Sequence, residues 1–185
     1  MPRIAVWDLE TSGLEADVGR ILCGSILDIT SNKMTSYRND RIRDKRNMAD
    51  DSTIACRIRD KLEKYHITIG WFSKGFDIAF LNTRLVKAGH KPLRSHLHLD
   101  PIWVCKGWRG LKPRSAKMAV MSEFFNLPER KPGVDVDVWI EAALGGSRTA
   151  MDELVQRCEA DVRITYQLTL KLLDTGLIKN ITSYP

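Results

Sequence analysis

Apolar residues run through Ile4-Ala5-Val6-Trp7 and then alternate with acids in Asp8-Leu9-Glu10-Thr11. A run of that composition predicts a buried central strand over 3–8. Thr11-Ser12-Gly13 predicts a turn, and 20–29 and 33–37 predict two more strands able to pair across Ser31-Asn32. The polar stretch 38–47 predicts a loop. Ile54, Ile58 and Leu62 recur at helical spacing, which predicts a helix capped by Asp51 or Ser52 and running to about Lys64. Residues 67–72 predict a strand, and Ser73-Lys74-Gly75 leads into a helix over 76–88 closed by Gly89. A further strand is predicted within 97–104, then a basic loop over 105–114 and a helix over 115–125. A loop over 129–133 precedes a helix over 136–144 that ends at Gly145-Gly146. Thr149-Ala150-Met151-Asp152 has capping-box spacing, with Asp in place of Glu, and opens a last helix to about Asp174. Strands first and helices interleaved later predict one α/β domain over 1–185. Its mixed central sheet would hold about five strands flanked by helices.

A chain of 185 residues is long enough for one sizeable core and short for two domains. No segment approaches a membrane-spanning run, and the first ten residues do not resemble a signal peptide. The 4 cysteines, Cys23, Cys56, Cys105 and Cys158, are widely spaced. That argues against a zinc site or a disulfide framework and for a reducing, cytoplasmic setting. Net charge is +6, with the excess clustered. Arg38, Arg41, Arg43, Lys45 and Arg46 crowd one stretch. Lys106, Arg109, Lys112, Arg114 and Lys117 crowd another, beside Trp103 and Trp108. Bases beside aromatics fit a nucleic-acid footprint; solvated loops are the alternative.

Alternation along a strand puts Asp8 and Glu10 on one face. Two carboxylates side by side at the end of a core strand repel each other and lose hydration. One must protonate or a cation must bind, and all-oxygen ligands suit Mg²⁺ or Mn²⁺. The other reading is a strand running out into a solvated acidic turn. Asp161 falls on the apolar stripe Leu154, Cys158, Thr165, Leu168 and Leu172 of the last helix. An acid there is costly unless paired or metal-bound, or else it reaches water at the stripe's margin. Asp77 falls in a first helical turn, where the helix dipole alone favours an acid. His96, His98 and Asp100 alternate on one strand face, where a structural or cleft role outweighs a metal site because no fourth ligand is near in sequence, and Asp135 and Asp137 read as helix caps ahead of backup metal ligands. Trp71 and Phe76 pack a core or stack a terminal base.

Taken in order, these motifs resemble the DEDD superfamily of 3′–5′ exonucleases, which share the RNase H-like fold. Asp8-Leu9-Glu10-Thr11 resembles the first motif. The run from Gly70 to Leu81 resembles the second, with Asp77 as its acid, and Cys158-Glu159-Ala160-Asp161-Val162 resembles the third. The resemblance is closest to the proofreading domains of family B DNA polymerases and their stand-alone relatives. It implies a phosphodiesterase using two Mg²⁺ or Mn²⁺ ions. Asp8 would bridge both ions, Glu10 and Asp161 would complete the tighter site, and Asp77 would hold the second ion. Substrate contacts would come from Thr11, Trp71, Phe76, Arg109, Lys112 and Arg114. The implied substrates are single-stranded DNA or RNA 3′ ends, with a polymerase acting in trans as a partner.

The chain departs from that family at one place. A Tyr four residues before the last Asp, or a His five before it, is usual; here Arg157 and Gln156 stand there. Arg157 stays protonated and is no general base. It is left to bind the scissile phosphate, to pair with Asp161, or to point to solvent. Two functions follow: an active exonuclease with Arg157 in the catalytic set, or a weakened or inactive nucleic-acid-binding accessory protein of the same fold.

Overall fold

The computed structural model describes residues 2–42, 47, 49–106, 110–144 and 147–179. Five strands form one mixed sheet in the order β3-β2-β1-β4-β5. β1 (Ile4–Thr11), β2 (Ile21–Asp28) and β3 (Lys33–Arg38) make an antiparallel meander. β4 (Ile67–Ile69) and β5 (Leu97–Leu99) lie parallel to β1 on its other side. β1 stays paired with β2 as far as Thr11, but with β4 only over Ile4, Ala5 and Val6. The sheet therefore forks after Val6, and Asp8 and Glu10 stand beyond the fork.

Alternation along β1 sorts its side chains between two cores. Ala5, Trp7 and Leu9 pack under α2 (Ser52–Leu62) and α3 (Asp77–Lys87). The spacing of Ile54, Ile58 and Leu62 works as expected, since all three are fully buried. Val6 faces the opposite layer, built on α7 (Arg148–Asp174) with Val162, Ile164 and Leu168. Asp8 and Glu10 share the parity of Val6, so they look toward α7. α4 (Pro101–Lys106) and α5 (Met118–Phe124) extend that layer, and α6 (Val136–Leu144) packs on α7 through Trp139 and Ala142. Among the described residues no helix is long and apolar enough to cross a membrane.

Several boundaries differ from the expectation. The strand within 97–104 stops at Leu99, and α4 begins at Pro101, whose fixed φ and missing N–H suit a first helical position. The basic stretch 38–47 opens with a short helix, α1 (Asn39–Ile42), not a loop. Arg38 turns inward, with 9% of its surface exposed, and pairs with Asp40 and Asp152. It braces the fold and is not a free cation. Ser147, not Thr149, caps α7, accepting from Ala150 N at 3.1 Å. Asp51 stands at the start of α2 without capping it. Its buried carboxylate accepts Ile21 N at 2.8 Å and Arg84 Nη2 and Nε at 2.8 and 2.9 Å. Arg43, Lys45, Arg46, Trp108, Arg109 and Gly145-Gly146 lie outside the described residues.

Candidate active site

The fork in the sheet opens into a cavity of about 790 Å³. Asp8 and Glu10 enter it from β1, Asp77 from α3 and Asp161 from α7. One carboxylate oxygen each of Asp8, Glu10 and Asp161 lie within 4.8 Å of one another. Asp77 stands beside this trio and is anchored differently. Its Oδ1 accepts the Leu9 N–H at 3.1 Å, filling the place that β4 leaves empty beyond the fork. The pattern of β1 thus puts two acids on the cleft side and lends the backbone between them to a third.

Crowding and burial shape the charge of the site. Burial pushes the Asp8 carboxyl well above the usual range, reinforced by Asp77, Asp161 and Glu10. Burial raises Glu10 to about 7 against the opposing pull of Arg157. Asp77 is likewise raised to about 7 by burial, against the stabilising Leu9 amide. Asp161 is raised by burial and held back by Lys131. Two side-chain cations offset part of this strain. Lys131 Nζ donates to Asp161 Oδ2. Arg157 donates from Nε to Glu10 Oε1 at 3.1 Å and from Nη1 to the Pro132 carbonyl at 2.6 Å, with its guanidinium 5.0 Å from the Trp139 ring centre. Of the three placements open to Arg157, pairing with an acid is the one adopted, but the acid is Glu10.

The donor set fits a hard divalent cation. Three carboxylates from two elements, β1 and α7, converge, no sulfur or imidazole among the described residues joins them, and Asp161 Oδ1 is buried without a hydrogen-bond partner. An orphaned buried carboxylate oxygen is expensive, and a bound ion would relieve it.

The remaining sequence candidates divide. Trp71 is 8% exposed and belongs to the core, although an edge of it lines the cavity. Phe76 also lines the cavity and packs on Phe80, with ring centres 5.6 Å apart. Thr11 is buried, and its hydroxyl donates to the Gly13 carbonyl at 2.7 Å. Arg114 pairs with Glu123 at 3.0 Å, and neither it nor Lys112 lines the cavity. The described cations that do are Lys106, Lys117, Lys131 and Arg157. His98 is held neutral by burial, down to about 3, and bridges Thr68 and Ser73 at 2.7 Å each. Asp100 accepts Phe72 N and Lys74 N at 2.8 and 3.1 Å, pinning the turn that precedes Asp77. Lys131 was not marked by its sequence context. The basic pair Arg130-Lys131 between Pro128 and Pro132 is its only trace.

Residues 5–173 match the family model of the RNase H superfamily, and the chain belongs to that superfamily. The family B DNA polymerase from the hyperthermophilic archaeon Pyrobaculum calidifontis shares the fold, with a TM-score of 0.73 at 14% sequence identity. The match covers 96% of this chain and 25% of the polymerase, so this chain spans a quarter of that protein's length. No curated protein matches. The mixed five-stranded sheet with flanking helices is an RNase H-like fold, and superfamily and fold together support a nuclease.

Proposed function

We propose that the chain is a metal-dependent 3′–5′ exonuclease of the DEDD type, related to stand-alone forms of polymerase proofreading domains. Its substrates are single-stranded DNA or RNA 3′ ends, supplied in one setting by a polymerase acting in trans. The observation that carries this reading is the convergence of Asp8, Glu10 and Asp161 within 4.8 Å in an open cleft. Asp8, Glu10 and Asp161 would hold one Mg²⁺ or Mn²⁺, and Asp8 with Asp77 a second. Such ions stabilise the attacking and leaving oxygens of an in-line displacement at phosphorus.

The chain's own groups do the rest. Asp77 is oriented by the Leu9 amide, so the β1 backbone sets the spacing of the acids. The lining includes no histidine and no tyrosine among the described residues, so its proton acceptors are carboxylates. Lys131 is 27% exposed at its side chain and reaches Asp161 from a loop. Released from that carboxylate, its ammonium can donate to a phosphoryl oxygen and stabilise the charge that develops there. Arg157 is held by Glu10, Pro132 and Trp139, and it supplies fixed positive charge rather than a mobile ligand.

The same two cations favour a second reading, a catalytically weakened accessory protein, because each competes with an ion for a carboxylate. Incubation with 5′-labelled single-stranded DNA and RNA in Mg²⁺ and in Mn²⁺ separates the two. The enzyme produces a ladder shortening from the 3′ end, lost in Asp8→Asn with binding kept. Binding without cleavage in either metal would establish the accessory protein.

A further inference from the structure

We propose that Phe72, Trp103 and Lys106 form a stacking subsite for a base of single-stranded nucleic acid, set back from the acid cluster along the strand. The proposal deepens the nucleic-acid reading above and rests on it only for the class of ligand.

Phe72 and Trp103 are 41% and 50% exposed, although aromatic rings of this size dominate protein cores. Their centroids are 6.2 Å apart with planes at 45°. The tilt leaves no parallel slot, so a base would lie on an outer face of the pair rather than between the rings. Lys106 Nζ stands 5.9 Å from the Phe72 centroid and 5.6 Å from that of Trp103. A cation over two rings is well placed to turn toward the phosphate that follows a stacked base.

Holding Phe72 outward is costly, and the surrounding residues are arranged to hold it. Its φ is 62°, a left-handed conformation that a bulky side chain avoids. Asp100, only 4% exposed, clamps the turn through Phe72 N and Lys74 N. His98, 6% exposed, holds Ser73 Oγ from the other side at 2.7 Å. Gly75 makes room, since a Cβ there would sit 2.7 Å from the Phe72 ring. Two buried polar side chains and a glycine thus fix an aromatic ring that contributes little to any core. The ring is also in the right place: Phe72 and Lys106 line the same cavity as Asp8, Glu10 and Asp161. Every base presents a π face, so the subsite would be sequence-tolerant, as an end-degrading enzyme requires.

The test is fluorescence anisotropy of labelled oligothymidylate and oligouridylate in a buffer with EDTA, where binding is read without cleavage. Trp103→Ala should weaken binding roughly tenfold, the scale of a lost base–aromatic stack. Trp103→Phe should stay close to the parent, and Lys106→Ala should lower the slope of log affinity against log salt by about one. Phe72→Gly should bind more weakly while its melting temperature stays at or above the parent's, because glycine relieves the left-handed strain. The two sugars rank the preference for DNA or RNA. A parent that binds neither oligonucleotide overturns the proposal, as do Trp103→Ala and Phe72→Gly proteins that bind like the parent. An inactive parent whose binding still falls in these variants sinks the nuclease reading and leaves the subsite standing. An active parent whose binding ignores both rings does the reverse.

Discussion

Arg157 donates to Glu10 across 3.1 Å, joining the last helix to the first strand at the centre of the cleft. The pair is largely shielded, with side chains 16% and 11% exposed. Together with Lys131 on Asp161, it gives the chain an internal counter-charge for two of its four acids. Any external cation must compete with that arrangement.

Arg157→Gln should therefore bind Mn²⁺ about tenfold more tightly at pH 8, because a like charge has been taken from the site. Isothermal titration calorimetry checks this. In EDTA the same variant should lose about 1–3 kcal/mol of stability, since Glu10 is left among carboxylates without its partner. Mn²⁺ should restore the loss.

Asp8→Asn should uncouple stability from activity. Asp8 is opposed first by its burial and then by Asp77, Asp161 and Glu10, so replacing it with a neutral isostere should stabilise the metal-free protein by about 1–2 kcal/mol. For a chain of this size that is a rise of roughly 2–8 °C in a scanning calorimeter. Cleavage by the variant should fall to background.

Stability of the metal-free protein should decline as pH rises toward neutrality. Glu10 and Asp77 are pushed up to about 7 in the folded chain, against about 4 when unfolded. Between those values the folded state binds more protons. The contribution is complete below the unfolded value and is lost as pH passes through the folded one. Asp8 and Asp161 act in the same sense. Urea unfolding in EDTA at pH 5.5 and 8 measures the decline. Glu10→Gln should flatten it, and Mg²⁺ should offset it, with protons released on binding at the lower pH.

Asp51→Ala should be among the most damaging changes outside the cleft. It would strand Arg84, whose side chain is 10% exposed, and leave the Ile21 amide without its acceptor. A loss of about 3–5 kcal/mol is expected in urea titrations, with little change in metal affinity.

How much of this could be read along the chain varied with the range of the interaction. The period of two in β1 placed Asp8 and Glu10 on one face, and helical spacing placed Asp161 inward on α7, because both rules are local. Boundaries failed where a side chain found a distant partner. Asp51 resembles a helix cap but is used by Arg84 and Ile21, and Arg38 resembles a surface cation but is bound to Asp152. Lys131 reaches Asp161 from a loop with no periodicity to reveal it. The left-handed φ of Phe72 has no sequence mark beyond the neighbouring Gly75, and its clamp, Asp100, lies 28 residues on.

The bond between Arg157 and Glu10 spans 147 residues of chain. Asp8 and Glu10 precede Asp161 along the chain, and Asp161 cannot join them until α7 has been made. A polypeptide halted between β1 and α7 therefore carries an incomplete set of acids. The acid cluster is completed in one step, when α7 packs on β1, so a product that stops short of α7 would lack the trio of carboxylates that could hold a cation.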